Sequence, residues 1–496
     1  MKYDYAVIGA GVSGMSAAVI LAQKGYRTAL IEQSAATGPT IRGFTRQGVF
    51  FDTGFHYTGA FREREPLDRL FHYLGIAGKL RKILLDGEGV DLFRCLDPPF
   101  EFSFPCGLEN IRTRLTEAFP AEGKAVHAYL RIVWDAYQRL PYINLNREMP
   151  SFELPYGIRE QSLAEVLNGL TANTMLKSVL SMHCLLHGVP PSEVPITNHA
   201  CVAAPYYESA HGIEGGGRRL AEAFDERLQE TGVDVYCGRR AEKILVSNGQ
   251  HLAGIQLEQG NILECQGAIV TVHPTSLLEM APDSTFRPAY RTNMRTLEDT
   301  SSALILFGIC REPLKRFHHT NVFAFPSAEA AFNPAGGIIE GRPIYITGTK
   351  IENLHKGRGR FIAICPAPNL KNGDGFEYQT DRRAGDYDHL KEGLTTRLRA
   401  YIEKVIPELQ GNMSYAESAT PHTLVKYTNN PTGSLYGVKH KIGQLNPIPL
   451  TRIKNLYIAG QGVTAPGILG AMISALLACG YIVGHETLRK ELKQCI

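Results

Sequence analysis

The residues with the clearest chemical capacity stand near the amino end: Gly9-Ala10-Gly11-Val12-Ser13-Gly14, followed at a distance by Glu32 and Gln33. A G-x-G-x-x-G spacing suits a diphosphate. Gly9 permits a tight turn, Gly11 lets the backbone approach phosphate oxygens, and Gly14 lets a helix pack closely on a strand. A carboxylate about twenty residues on can accept hydrogen bonds from both hydroxyls of an adenosine ribose. The same carboxylate, Glu32, repels a 2′-phosphate, which argues against NADP. Further along, His56 and Tyr57 offer an imidazole and a phenol directly after a glycine turn at Gly54. Near the far end, Gly460-Gln461-Gly462 and Pro466-Gly467-Ile468 make a second glycine-rich loop.

These groups need elements to hold them. Tyr3 to Ile8 is a short apolar run suited to a buried parallel strand. Met15 to Lys24 has helical apolar spacing with Gly25 as a stop, and Thr28 to Ile31 reads as a second strand ending at Glu32. A lone G-x-G-x-x-G is a weak signal; between two strands and closed by an acid it is a strong one. The helix start then offers free N–H groups and the positive end of a dipole to phosphates. A nicotinamide dehydrogenase would continue into further βα units. Here the chain instead makes a loop, Gly38-Pro39-Thr40-Ile41-Arg42-Gly43, and an aromatic stretch broken by glycines from Gly48 to Gly59.

Glycines return at Gly212 to Gly217, ahead of an amphipathic helix from Arg218 to Thr231 with Leu220, Ala223, Phe224 and Leu228 on one face. A strand at Gly232 to Tyr236 follows. Ala241 to Val246 and Leu252 to Leu257 form a hairpin through Asn248-Gly249, and Cys265 to Val272 is another buried strand. Asn455 to Met472 reads as strand, glycine-proline loop and helix start, and such a helix end can stabilise an anion.

Together these blocks resemble the FAD-dependent family of phytoene desaturases, carotenoid isomerases and retinol saturases, which share the amine-oxidase type of flavoprotein fold. Phe51-Asp52-Thr53-Gly54-Phe55-His56-Tyr57 looks most like the retinol-saturase and isomerase-like branch. The resemblance covers roughly residues 1–60, 206–275 and 416–485. It implies FAD as cofactor, held by Gly9 to Gly14, Glu32, Gln33, Thr40, Gly54, Ala241, Gly460, Gln461, Pro466, Gly467 and Ile468. The position matched by Ala241, usually valine, holds adenine through the main chain. The helix start at Pro466 to Ile468 would stabilise the anionic edge of reduced flavin. Pro39 replaces a usual glycine, and Gly462 stands where many relatives carry Asp. His56 and Tyr57 follow the turn that approaches the flavin in relatives. They are expected either to face the ring, positioning substrate or moving protons, or to pack beneath the loop.

The implied fold class is α/β. A Rossmann-like, three-layer ββα FAD-binding domain is assembled from residues 1–78, 206–275 and 416–496. A mixed α+β substrate domain takes 79–205 and 276–415, and carries no motif with chemistry. Its first part reads as helical (Leu108 to Phe119, Lys124 to Leu140, Leu163 to Leu186). The second mixes strands, Ala303 to Ile309 and Phe361 to Cys365, with a helix around Tyr387 to Val405.

Bulk properties narrow the partners. Fifty-two basic against 49 acidic residues give +3 over 496 residues, too balanced for nucleic-acid binding through a global field. Ten cysteines without a C-x-x-C pair read as free buried thiols. The apolar stretch Leu469 to Gly484, at about 16 residues, falls short of the ~20 of a spanning helix. No signal peptide is read, so a cytoplasmic location is expected, with peripheral membrane contact allowed. Arg311, Lys315, Arg316, His318 and His319 read as a solvated basic cluster. His183 and His187 have a metal-capable i, i+4 spacing, but no third ligand is evident and no metal is assigned. There is no G-x-S-x-G elbow for hydrolysis.

The resemblance implies a hydrophobic polyene, isoprenoid or long-chain substrate, undergoing desaturation, saturation or isomerisation. With no second dinucleotide unit, the electron donor or acceptor is an external partner, a quinone or oxygen, and free NAD(P)H stays open. Two alternatives also stay open: an amine-oxidase-like enzyme on a soluble amine, and a non-catalytic lipid-binding escort protein of the same fold.

Overall fold

Four short apolar strands set the frame. A computed structural model of the chain describes residues 2–149, 160–248, 250–348, 358–371 and 384–495. The opening strand Lys2–Ile8 runs parallel to Thr28–Glu32 on one side and to Ile262–Val270 on the other. Asp234–Cys237 extends the sheet beyond Thr28–Glu32, and Leu456–Ile458 pairs in parallel with the carboxyl half of Ile262–Val270. Thr28–Glu32 is buried at every position, as a strand covered on both faces must be. The register aligns Ile8 with Ile31 and Val270, and Val270 with Ile458. The segments after these residues therefore leave the sheet along one edge, where open parallel sheets bind ligands.

The hairpin Ala241–Ser247 and His251–Leu257 continues the sheet in antiparallel fashion and gives it a third layer. Asn248 of its turn has φ +48°, and Gly249 lies outside the described residues. On the opposite face sits the helix Val12–Gln23, apolar nearly all round because it is sandwiched between sheet and terminal helix Gly467–Val483. Ser13 Oγ donates to Ala471 O at 2.8 Å across that contact. Among the described residues no helix is long and apolar enough to cross a membrane.

A second sheet of seven strands runs in the order Met413–Ala419, Ser302–Cys310, Gly359–Ala367, Ile344–Gly348, Asn321–Ser327, Asp91–Asp97 and Phe100–Phe104. Only Asn321–Ser327 and Asp91–Asp97 pair in parallel. This sheet takes in Met413–Ala419, and so runs past residue 415 to Ala419. Helices Leu108–Ala118, Gly123–Gln138 and Ile196–Glu208 pack together beside it.

The apolar spacing from Leu163 to Leu186 is not one helix. It breaks into Leu163–Leu170, Thr174–Ser181 and a 3-10 segment Met182–Leu186. Asn173 starts the second piece by accepting the Leu176 N–H at 3.0 Å, so a capping side chain overrides the periodicity. Eight of the ten cysteines are buried and all are free, as their spacing predicts. The basic cluster at Arg311–His319 is partly committed. Arg316 pairs with Glu408 at 2.6 Å, and Arg311 donates to Gly411 O at 2.9 Å.

One buried ion pair ties the two sheets. Asp52 accepts the Gly217 N–H at 2.8 Å and the Arg360 guanidinium at 2.8 Å, with both side chains at most 10% exposed. Burial raises the Asp52 carboxyl, and Arg360 pulls it back down. Replacing Arg360 by Leu strands a desolvated carboxylate, so unfolding in urea should show a loss of about 3–5 kcal/mol. A loss under about 1 kcal/mol would mean water reaches the pair.

Candidate active site

A single cleft of about 1120 Å³ opens between the two sheets. That exceeds the roughly 300–1,000 Å³ of an ordinary small-ligand site, so it has room for a cofactor and a substrate together. Its first wall is the carboxyl edge of the parallel strands. Gly9 has φ +97°, a conformation only glycine adopts readily. A methyl on Gly14 would run into Gly9 O, which is the close helix–strand approach the spacing predicts. At Gly11 a methyl would meet nothing within 4 Å, because that position faces the open cleft. Val12 and Ser13 line the cleft beside it. The helix they begin has no side-chain cap, so its first N–H groups are free for an anion.

Glu32 is buried and fixes this loop. Its Oε2 accepts the Ala10 N–H and its Oε1 the Ser34 N–H, each at 2.8 Å. Each oxygen keeps a second lone pair for a ribose hydroxyl. Gln33 and Ala241 line the same part of the cleft, with Arg239 and Lys243 supplying positive charge. Thr40 and Gly54 meet across the wall, where a side chain at Gly54 would lie 2.6 Å from Thr40 O.

The terminal loop closes the cleft. Gly460, Gln461, Gly467 and Ile468 line it, and Pro466 is the uncapped N-cap of the last long apolar helix. Gly460 N–H donates to Ser474 Oγ at 2.9 Å. His440 Nε2 donates to Gln461 O at 2.7 Å, while its Nδ1 receives Asn446. Dense glycine cradles, two uncapped helix starts and a tethered carboxylate all fit an adenine dinucleotide.

Beyond the cradle the wall becomes aromatic. His56, Tyr57, Tyr206, Tyr345 and Tyr436 line the cleft together with apolar Ile305 and Ile364. Tyr57 lies 4.7 Å from Tyr206 and 6.4 Å from Tyr345, ring centre to ring centre. His56 is 6.0 Å from Tyr345. The Tyr57 ring borders the cleft, and its hydroxyl is anchored beneath, donating to Asp91 Oδ2 at 2.9 Å. Asp91 is fully buried and also receives His183 Nε2 at 3.1 Å and Asn321 Nδ2 at 2.9 Å. Thr347 donates to Asn321 Oδ1 at 2.8 Å, which fixes the amide's orientation.

Asp91 stands in a segment without a local pattern, and the spacing of His183 to His187 does not reveal its tie to Asp91. A usable clue existed: an acid on the inward register of a strand whose Phe93 and Cys95 are buried. His183 and His187 do not share a partner, since in a 3-10 segment residues four apart diverge by roughly 120°. His187 instead joins His199, and with Cys184 these form a buried group of metal-capable atoms. The two histidines join a chain of hydrogen bonds. Val189 N–H donates to His187 Nδ1, so His187 Nε2–H points at His199 Nδ1, 3.3 Å away. His199 Nε2 then meets the Tyr129 hydroxyl at 3.1 Å, and Tyr129 donates to Leu180 O at 3.2 Å.

Burial lowers His187 to about 3 and holds His199 well below its ordinary value. Unfolded histidine titrates near 6.5. Between those limits the folded chain binds fewer protons, so stability falls as pH drops from about 6.5 toward 3, by at most about 1.4 kcal/mol per unit for each group. Glu208, raised to about 8 by burial, works the other way, its contribution fading as pH rises from 4.5 to 8. Thermal melts should weaken on the acid side, and His187→Gln should flatten that limb. An unchanged slope would assign the acid sensitivity to other groups.

A family model described as an NAD(P)-binding Rossmann-like domain matches residues 7–74. The chain is 24% identical to all-trans-retinol 13,14-reductase of Danio rerio, over 98% of this chain and 87% of that protein. It is 23% identical to all-trans-zeta-carotene desaturase of Myxococcus xanthus (96% and 92% covered) and 21% identical to chloroplastic prolycopene isomerase of Daucus carota (96% and 80%). In three dimensions it resembles putrescine oxidase, with TM-score 0.66 at 13% identity and 97% and 99% of the two chains covered, which speaks for the fold alone. Because the relatives match nearly from end to end rather than over the dinucleotide unit only, the whole chain is similar to retinol reductases, carotenoid desaturases and carotenoid isomerases, on the amine-oxidase type of flavoprotein fold.

Proposed function

We propose that the protein is an FAD-dependent oxidoreductase acting on carbon–carbon bonds of a hydrophobic polyene or isoprenoid. The observation that carries this reading is the continuity of one cleft, from the open face at Gly11 to a chamber walled by Tyr57, Tyr206, Tyr345, Ile305 and Ile364. FAD bound in the cradle supplies two-electron redox chemistry. The chain's own residues do the rest. Glu32 and the loop amides orient the adenosine diphosphate part, and the terminal helix start places positive potential beside the ring. The apolar chamber excludes water and aligns the substrate chain. His56 is the group that can hold or move a proton there, while Tyr57, its hydroxyl committed to Asp91 and its high pKa keeping it a neutral phenol, positions substrate with its ring. Relatives bear the names of a reductase, a desaturase and an isomerase, and all three reactions suit this cradle. The electron partner selects among them. We expect a cytoplasmic protein that takes its substrate from a membrane surface.

A second reading, oxidation of an amine, is favoured by the tyrosine lining, since aromatic walls hold cations.

The purified protein should carry the visible absorbance of oxidised flavin, and anaerobic incubation with candidate polyenes should change flavin redox state or product geometry. Gly11→Ala adds a methyl only to open space, so it should abolish flavin binding while leaving the melting temperature equal to that of the flavin-free unaltered protein. Gly14→Ala should lower both. If Gly11→Ala retained full flavin, the cradle would not be the diphosphate site. His56→Ala should keep flavin and lose about 10²-fold in turnover, the lower bound for a proton-transferring side chain. Unaltered turnover would remove His56 from the chemistry.

A further inference from the structure

Behind the tyrosines lies a charge that flavin binding does not explain. Asp91 is 0% exposed, and its three donors are a phenol, a carboxamide and an imidazole. No Lys or Arg pairs with it among the described residues; its one ion-pair partner is His183, at 3.1 Å. A fully buried carboxylate without a strong cation is expensive, and such groups persist where their field is used.

The field points at the cleft. Tyr57 connects Asp91 to the chamber by hydrogen bond, and the Asp91 charge contributes to the raised pKa of Tyr57, Tyr206 and Tyr345 alike. Those three rings border the same chamber, Tyr57 and Tyr345 within 11° of parallel. The faces of tyrosine rings carry negative potential, and a dry site strengthens it. The chamber is thus negative while its lining is neutral, a combination that selects positive charge carried on an apolar body.

We propose that Asp91, acting through Tyr57, Tyr206 and Tyr345, forms a cation-stabilising subsite that favours positive charge developing along the substrate chain. This rests on the polyene reading above. In desaturation a hydride would leave one carbon for the oxidised flavin, and the chain would be cationic until the His56 imidazole takes a proton from the adjacent carbon and the C–H electron pair becomes the new double bond. Saturation would reverse this: a proton from the His56 imidazolium would add to a double bond, making the chain cationic, and hydride from reduced flavin would complete it. Asp91 touches no substrate. It is a positioning residue that orients Tyr57 and supplies the counter-charge.

The test compares two ligands of equal shape on the flavin-loaded enzyme: a long-chain alkyl trimethylammonium and the same chain ending in a tert-butyl group. Binding is read from the perturbed flavin spectrum. The cation should bind at least tenfold tighter, equivalent to about 1.4 kcal/mol. Asp91→Asn should bring the ratio near one with the flavin band intact. Tyr345→Leu, which breaks no bond to Asp91, should reduce the ratio severalfold and serves if Asp91→Asn fails to fold. A ratio near one in the unaltered enzyme, or a ratio that survives both changes, overturns the subsite while polyene turnover would leave the parent reading intact. A long-chain dimethylamine that bleaches the flavin anaerobically, with no polyene turned over, overturns both in favour of amine oxidation.

Discussion

The structure depends on one constraint: four chain segments distant in sequence must end their strands at the same edge of one sheet. Parallel register does this. Gly9 N–H donates to Ile31 O, Thr271 N–H to Ile8 O and Ala459 N–H to Val270 O, each at 2.8 to 2.9 Å. These bonds carry the ladder one residue past each strand, so the loops leave from a shared line. Thr271 Oγ1 then reaches Ile8 O and Gly9 O, clamping the glycine turn from the neighbouring strand. A turn held this way presents its amides without rearrangement, which is what a tightly bound diphosphate needs.

The second sheet is fastened to this edge rather than merely placed beside it. Asp52 follows the strand Val49–Phe51, Gly217 lies in the first turn of the helix Gly216–Glu230, and Arg360 lies at the start of the strand Gly359–Ala367 of the other sheet. Their meeting fixes the stretch that carries His56 and Tyr57. Below it, Asp91 draws in Tyr57, His183 and Asn321 from three separate elements. The chamber is therefore rigid where it is aromatic, and its polarity comes from behind the wall. A hydrophobic substrate can meet a field without meeting an exposed ion.

Much of this was legible in the residues. Gly9, Gly11, Gly14 and Glu32 each have a local reason that survives folding: positive φ, open approach, close packing and an acid at a strand end. The terminal loop was legible in the same way. Asp91, His199, Tyr206, Tyr345 and the tie of His183 to Asp91 were not, because their meaning lies in contacts between residues 12 to more than 200 apart. The break at Asn173 is the converse case: apolar spacing predicts one continuous helix, and a local cap ends it.

By itself, then, the sequence determined the dinucleotide half-site, the free buried thiols and the alternation of elements, since each rests on backbone conformation or short-range pattern. Only tertiary structure decided that Asp52 joins Arg360, that Tyr57 both borders the cleft and reaches Asp91, and that His187 turns from His183 to His199. Electrostatic and packing partners are chosen by distance in space, and no spacing along the chain records that distance.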